Sequence, residues 1–208
     1  MLVDLDEELD PFGLPAGAAV SGGTMKLGTL VLTLALVAAP ACGGGGGGSD
    51  AGGSPTPLSA SFVPEQPTPG ADTAALAEGA KSNDVVTVNV TITNTNGFFG
   101  TAFEFLFDDT HTVYLGFTAG TVLEQGGNTP TYNVDGTSNP GRIVIGASRT
   151  GSSATNVSGT KTVIGLQFRV KQAGVYPVAI QNAVVYDSQD PPQPIPGIAW
   201  YAGAVSGV

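Results

Sequence analysis

The chain has 208 residues, enough for one ordinary domain, and its formal net charge is -10. Seven basic residues scattered along it form no patch for phosphate contacts, which argues against nucleic acid as a partner. A single thiol, Cys42, rules out a disulfide framework and a metal site built on several thiolates.

Residues 1–24 carry Asp4, Asp6, Glu7, Glu8 and Asp10. An acidic leader has the wrong sign for the start of an export signal. This segment is therefore expected to be an over-extended reading frame without fixed structure, with translation starting at Met25. Residues 25–41 then supply one positive charge at Lys26, an apolar run from Leu30 to Val37, and the small residues Ala38-Ala39-Pro40-Ala41 before Cys42. The order of charge, apolar run and small residues is that of an export signal. It resembles a bacterial lipoprotein signal, in which the cysteine becomes residue one and is lipidated. The apolar run is too short to span a bilayer, so the implied membrane contact is the lipid anchor alone. The expected location is across the inner membrane, facing the periplasm or at the cell surface. Residues 42–56 are Gly, Ser, Asp, Ala and Pro, with too little apolar surface to offset ordering, and read as a flexible tether.

Residues 57–208 read as the folded domain. A short strand is expected over Leu58–Val63. A Pro- and Ala-rich loop follows to Asn83, in which Asp72–Lys81 has the composition for a helical turn. Val86, Val88, Val90 and Ile92 then alternate with Thr87, Asn89, Thr91 and Thr93, the pattern of a strand with one face in the core. Phe103, Phe105 and Phe107 alternate next, followed by a strand over Thr112–Phe117. Val122–Leu123 and Thr131–Val134 are weaker candidates. Arg142–Ala147, Thr162–Val170, Val175–Asp187 and Ala199–Val205 complete a set of about nine strands. Short strands separated by turn residues indicate an all-β sandwich or barrel.

Four of these stretches resemble the cohesin family. They are Val85–Ile92 after the turn Ser82-Asn83-Asp84, Phe99–Asp108, Gly141–Ala147, and Ile164–Lys171 with the glycine turn that follows it. The resemblance spans nearly all of residues 58–208 and departs from the usual pattern at Asp109, where the family often has proline. It implies a jelly-roll β-sandwich that docks a dockerin-type protein without catalysis and without a cofactor. It also implies the docking strands: Ala102–Phe107, Thr131–Val134, Arg142–Ala147 and Val175–Tyr186. Alternation along them directs Leu106, Val144, Gly146 and Ala179 outward, rimmed by Glu104 and Gln181.

Other chemistry has weaker support. His111 in Asp108-Asp109-Thr110-His111 reads as a solvated turn residue, and Asp108 as a turn-former. Asp187 and Asp190 offer loop oxygens of the kind calcium takes, without a recognisable ligand spacing. The alternative function is a carbohydrate-binding module of the same sandwich class, which would need Trp200 and tyrosines in an exposed row.

Overall fold

The computed structural model describes residues 57–151 and 153–208. The expected over-extended start, signal segment, lipidated Cys42 and tether lie outside these residues. The described domain is built from strands alone: β1 (Ala60–Pro64), β2 (Thr73–Ser82), β3 (Val85–Thr93), β4 (Gly100–Leu106), β5 (Thr112–Ala119), β6 (Pro130–Asp135), β7 (Arg142–Arg149), β8 (Thr160–Val170), β9 (Gly174–Tyr186), β10 (Ala199–Tyr201) and β11 (Gly203–Gly207). They form a six-stranded sheet in the order β1-β11-β9-β4-β7-β6 and a five-stranded sheet in the order β10-β2-β3-β8-β5. This is the all-β jelly-roll sandwich expected, with eleven strands in place of nine.

The core follows from period-two patterning. Val86, Val88, Val90 and Ile92 of β3 are at most 1% exposed, and Ile164, Leu166 and Phe168 of β8 are fully buried beside them. Phe103 and Phe105 of β4 and Ile143 and Ile145 of β7 meet them from the other sheet. Phe168 anchors an aromatic cluster, with its ring centroid 5.3 Å from Phe105, 5.2 Å from Phe107 and 5.8 Å from Tyr114.

Four expectations need correction. The first is Asp72–Lys81, which forms most of β2 and no helical turn. Alanine is a strong helix former, but helix propensity is worth little per residue and tertiary pairing overrides it. Thr73, Ala74, Ala75 and Leu76 are all buried, and the strand pairs with β3 from Thr73↔Thr93 to Ser82↔Val85. Second, Ala199–Val205 is two strands. Ala202 divides them: β10 runs parallel to β2, whereas β11 lies between β1 and β9 in the other sheet. Third, Thr87, Thr91 and Thr93, on the polar face of β3, are 9%, 5% and 3% exposed. Alternation identifies that face, but flanking strands β2 and β8 cover side chains this small. Fourth, Val122 and Leu123, a weak strand candidate, form no strand; they are fully buried in a second cluster with Phe98 and Val163.

The two sheets are pinned at the β5–β6 edge by Tyr132. Its hydroxyl accepts the Gly120 N–H at 3.1 Å and lies 3.2 Å and 3.1 Å from the Gly120 and Val163 carbonyls, to which it donates. Chain approach is close here: a Cβ on Gly120 would stand 2.2 Å from the Thr162 carbonyl oxygen. Tyr132→Phe removes the hydroxyl and keeps the ring. It is expected to cost about 1 kcal/mol, read as a lower urea midpoint at unchanged slope.

Candidate functional site

The four strands expected to dock a partner are consecutive in one sheet, in the order β9-β4-β7-β6. Register gathers the six expected residues on its outer face. Glu104 lies between Val144 of β7 and Gln181 of β9, and Leu106 lies between Arg142 and Ala179. Ala102 pairs with Gly146. Residues paired across antiparallel strands point the same way, so these side chains share one surface. Val144 is 39% exposed, Ala179 and Gln181 are exposed, and Leu106 is half-buried between its neighbours.

Glu104 was expected at the rim. It sits centrally, and its Oε1 accepts a hydrogen bond from Arg142 Nη2 at 2.5 Å, which neutralises the carboxylate. The expected patch included Gly146 and left out Gly100 and Ala102, which shape the surface with it. These three give the middle of the face no bulk, and two adjoining hollows result. One, of about 490 Å³, is lined by Gly100, Gly146, Ser148, Asn133, Tyr186 and Pro192 among others. The other, of about 460 Å³, is lined by Ala102, Asn133, Asp135, Val144 and Gly146 among others. Gly146 and Asn133 belong to both, so the hollows form one trough along β7, walled by β6. A Cβ on Gly146 would find only Asn133 Cβ, 4.0 Å away. Any larger side chain there would fill the trough.

Asp135 stands at the trough edge. The Ser138 hydroxyl, with the Ser138 and Thr137 amides, holds its carboxyl below the usual carboxylate range. It enters no ion pair among the described residues. The face is therefore an apolar, small-residue surface with one internally paired charge couple and one unpaired carboxylate.

A family profile for the cohesin domain matches residues 73–193, which contain all four strands of this face. The chain belongs to the cohesin family. Three solved structures to which it is similar can be compared. The second type II cohesin module of the adaptor ScaA scaffoldin of Acetivibrio cellulolyticus is 12% identical, with 69% of this chain and 85% of that one covered and a TM-score of 0.49. A type II cohesin–X–dockerin complex from the same organism, an interface mutant, is 15% identical over 62% and 91%, with a TM-score of 0.48. A non-cellulosomal cohesin from Archaeoglobus fulgidus is 15% identical over 62% and 87%, with a TM-score of 0.44. A search of curated proteins finds no match.

In this cohesin, Asp109 replaces the proline often found there, and its carbonyl accepts a hydrogen bond from Lys171 Nζ at 2.7 Å. His111 is pinned, not freely solvated. Its Nδ1 is 2.6 Å from Asp108 Oδ2, and its ring stacks on Tyr176 with centroids 4.9 Å apart. Asp108 also accepts the Thr110 and His111 amides, as a turn-former does, and the bond with the His111 side chain is the first cause of its lowered pKa. The pair ties the β4–β5 turn to β9. Asp187 spends both oxygens inside its own loop: one accepts the Gln189 and Gln193 amides, the other the Gln189 side chain. Its carboxyl is held low chiefly by the Gln193 amide. Trp200 packs on Phe103 at 5.6 Å, and Tyr176 is 8% exposed, so these rings serve the sandwich and do not form an outward row.

Proposed function

We propose that this cohesin is a non-catalytic docking module that captures a dockerin-type protein on the outer face of β9-β4-β7-β6. It is exported, held at the membrane by a lipid on Cys42, and serves an extracellular or polysaccharide-related assembly. The observation that carries the reading is the trough. Val144, Leu106 and Ala179 flank a central surface kept low by Gly100, Ala102 and Gly146, and with Glu104 paired to Arg142 its one uncompensated charge is Asp135 at the edge. An exposed apolar surface of this kind in mid-sheet has no folding purpose and suits a protein partner. Family membership gives the partner class.

Calorimetric titration of the full chain with a panel of recombinant dockerins, and separately with soluble polysaccharides, tests the reading. Saturable binding to at least one dockerin is expected. Binding to polysaccharide with no response to any dockerin would favour the carbohydrate-binding alternative. For the anchor, Cys42→Ser is expected to move the exported protein from the membrane fraction to the soluble fraction. Unchanged membrane association would remove the lipid from the proposal.

A further inference from the structure

Four strands stand at sheet edges, and edges left with free backbone groups recruit other strands unless guarded. Three are guarded here. β1 has five residues, ends at Pro64, and its Phe62 N–H donates to Glu78 Oε2 at 2.8 Å. β6 begins with Pro130 and ends with Asp135. β10 has three residues. The fourth, β5, has eight residues, reads Thr-Val-Tyr-Leu-Gly-Phe-Thr-Ala, and carries neither proline nor charge. Val113, Leu115 and Phe117 on it are 38%, 41% and 41% exposed. Among the described residues, no backbone hydrogen bond joins Val113–Ala119 to any segment but β8.

β5 does contain a bulge, a common guard. Its register against β8 shifts between Tyr114 and Gly116, and Gly116 takes φ +140°. This bulge leaves a notch: nothing lies within 4 Å of where a Cβ on Gly116 would be, and exposed Leu115 stands beside it. The bulge also decides which side chains share a face. Val113 and Thr118 lie opposite Arg169 and Gly165 on the outer face, whereas Tyr114 and Phe117 lie opposite buried Phe168 and Leu166.

We propose that β5 is the edge through which two copies of this domain pair antiparallel about a two-fold axis. One register keeps every face matched. It sets Leu115 of each copy on Gly116 of the other, Tyr114 on Phe117, and Val113 on Thr118. A two-fold contact brings a surface against itself, so any charge on it would meet its like. On a chain with net charge -10, an uncharged stripe meets that condition. Joining the edges makes one ten-stranded sheet from two five-stranded ones. It leaves the docking face of each copy open on the opposite sheet, so the dimer presents two such faces. Pairing along one edge buries less than the roughly 1,200 Å² of a stable specific interface, so the dimer is weak and concentration-dependent.

Sedimentation velocity of the full chain, from about 1 μM to about 1 mM, tests this. A monomer–dimer equilibrium is expected, one that added salt does not weaken because the contact holds no ion pair. Leu115→Lys places like charges together at the axis and should raise the dissociation constant at least tenfold, with an unchanged melting temperature. Val175→Lys is the control. Val175 is 66% exposed on β9, so a nonspecific apolar association would respond to it, and the β5 dimer would not. The proposal is overturned if the chain stays monomeric throughout, or if Leu115→Lys leaves association unchanged. Loss of association in Val144→Asp would also overturn it, since the docking face would then be the self-contact.

Discussion

Val88→Asp should unfold the domain. Val88 is fully buried at the centre of β3, paired with Glu78 of β2 and Leu166 of β8. Its side chain faces the core. Its β2 neighbour Glu78 is itself a carboxylate and already holds Lys81, so a new carboxylate would be ionised without a partner or protonated at a cost. Either way the loss is several kcal/mol, comparable with the whole stability of a domain this size, about 5–15 kcal/mol. Collapse of near-UV circular dichroism at 25 °C is the expected readout. Thr87→Asp puts the same group one residue away on the outer face. Sequence alternation alone expects this change to be tolerated. With Thr87 only 9% exposed, a reduced melting temperature and a folded spectrum are expected instead. Equal loss in the two variants would mean that the facing of β3 is wrong.

These two variants also mark how far the sequence is readable. β3, β4, β7 and β8 are legible because β-branched and aromatic residues recur with period two, and burying one such face is what a sandwich requires. β2 is not, because Ala74, Ala75 and Leu76 are buried on both faces and show no alternation. The break at Ala202 is not legible either: which sheet a short strand joins depends on distant partners, here β2 for Trp200 and β9 for Val205. At the candidate site, the facing of Glu104, Leu106, Val144, Gly146, Ala179 and Gln181 follows from alternation anchored on buried Phe103, Phe105, Ile143, Ile145 and Val178. The trough does not. It depends on Asn133 standing opposite Gly146, on Asp135 opposite Val144, and on Tyr186 and Pro192 closing one end. Strand β6 offers only Tyr132 and Val134 as apolar anchors, too few to fix its register in advance.

Val144→Asp should abolish partner capture and leave the domain folded. Val144 is 39% exposed, so a carboxylate there is hydrated in the free protein, and no cavity forms beneath it. Its register neighbours are Glu104 and Asp135, so three acidic side chains would stand side by side. Arg142, already bound to Glu104, offsets part of that repulsion, and a small drop in melting temperature is expected. In a complex the same carboxylate would be desolvated at the centre of an apolar contact. Such unpaired burial costs about 2–5 kcal/mol, which at 1.4 kcal/mol per tenfold weakens binding by roughly 30- to 4,000-fold. Leu106→Asp makes the same test at the β9 side, beside Arg142 and Ala179. Gly146→Leu separates shape from charge. It adds no carboxylate and projects into open space, so it fills the trough without straining the sheet. Each variant is titrated with a dockerin that binds the parent chain. Loss in all three, with each variant still melting cooperatively, supports docking across the whole face. If Gly146→Leu binds normally while both aspartates fail, the partner sits on the Leu106–Val144–Ala179 end and leaves the trough empty. If Val144→Asp folds and binds as tightly as the parent, the partner docks elsewhere and this face is not the site.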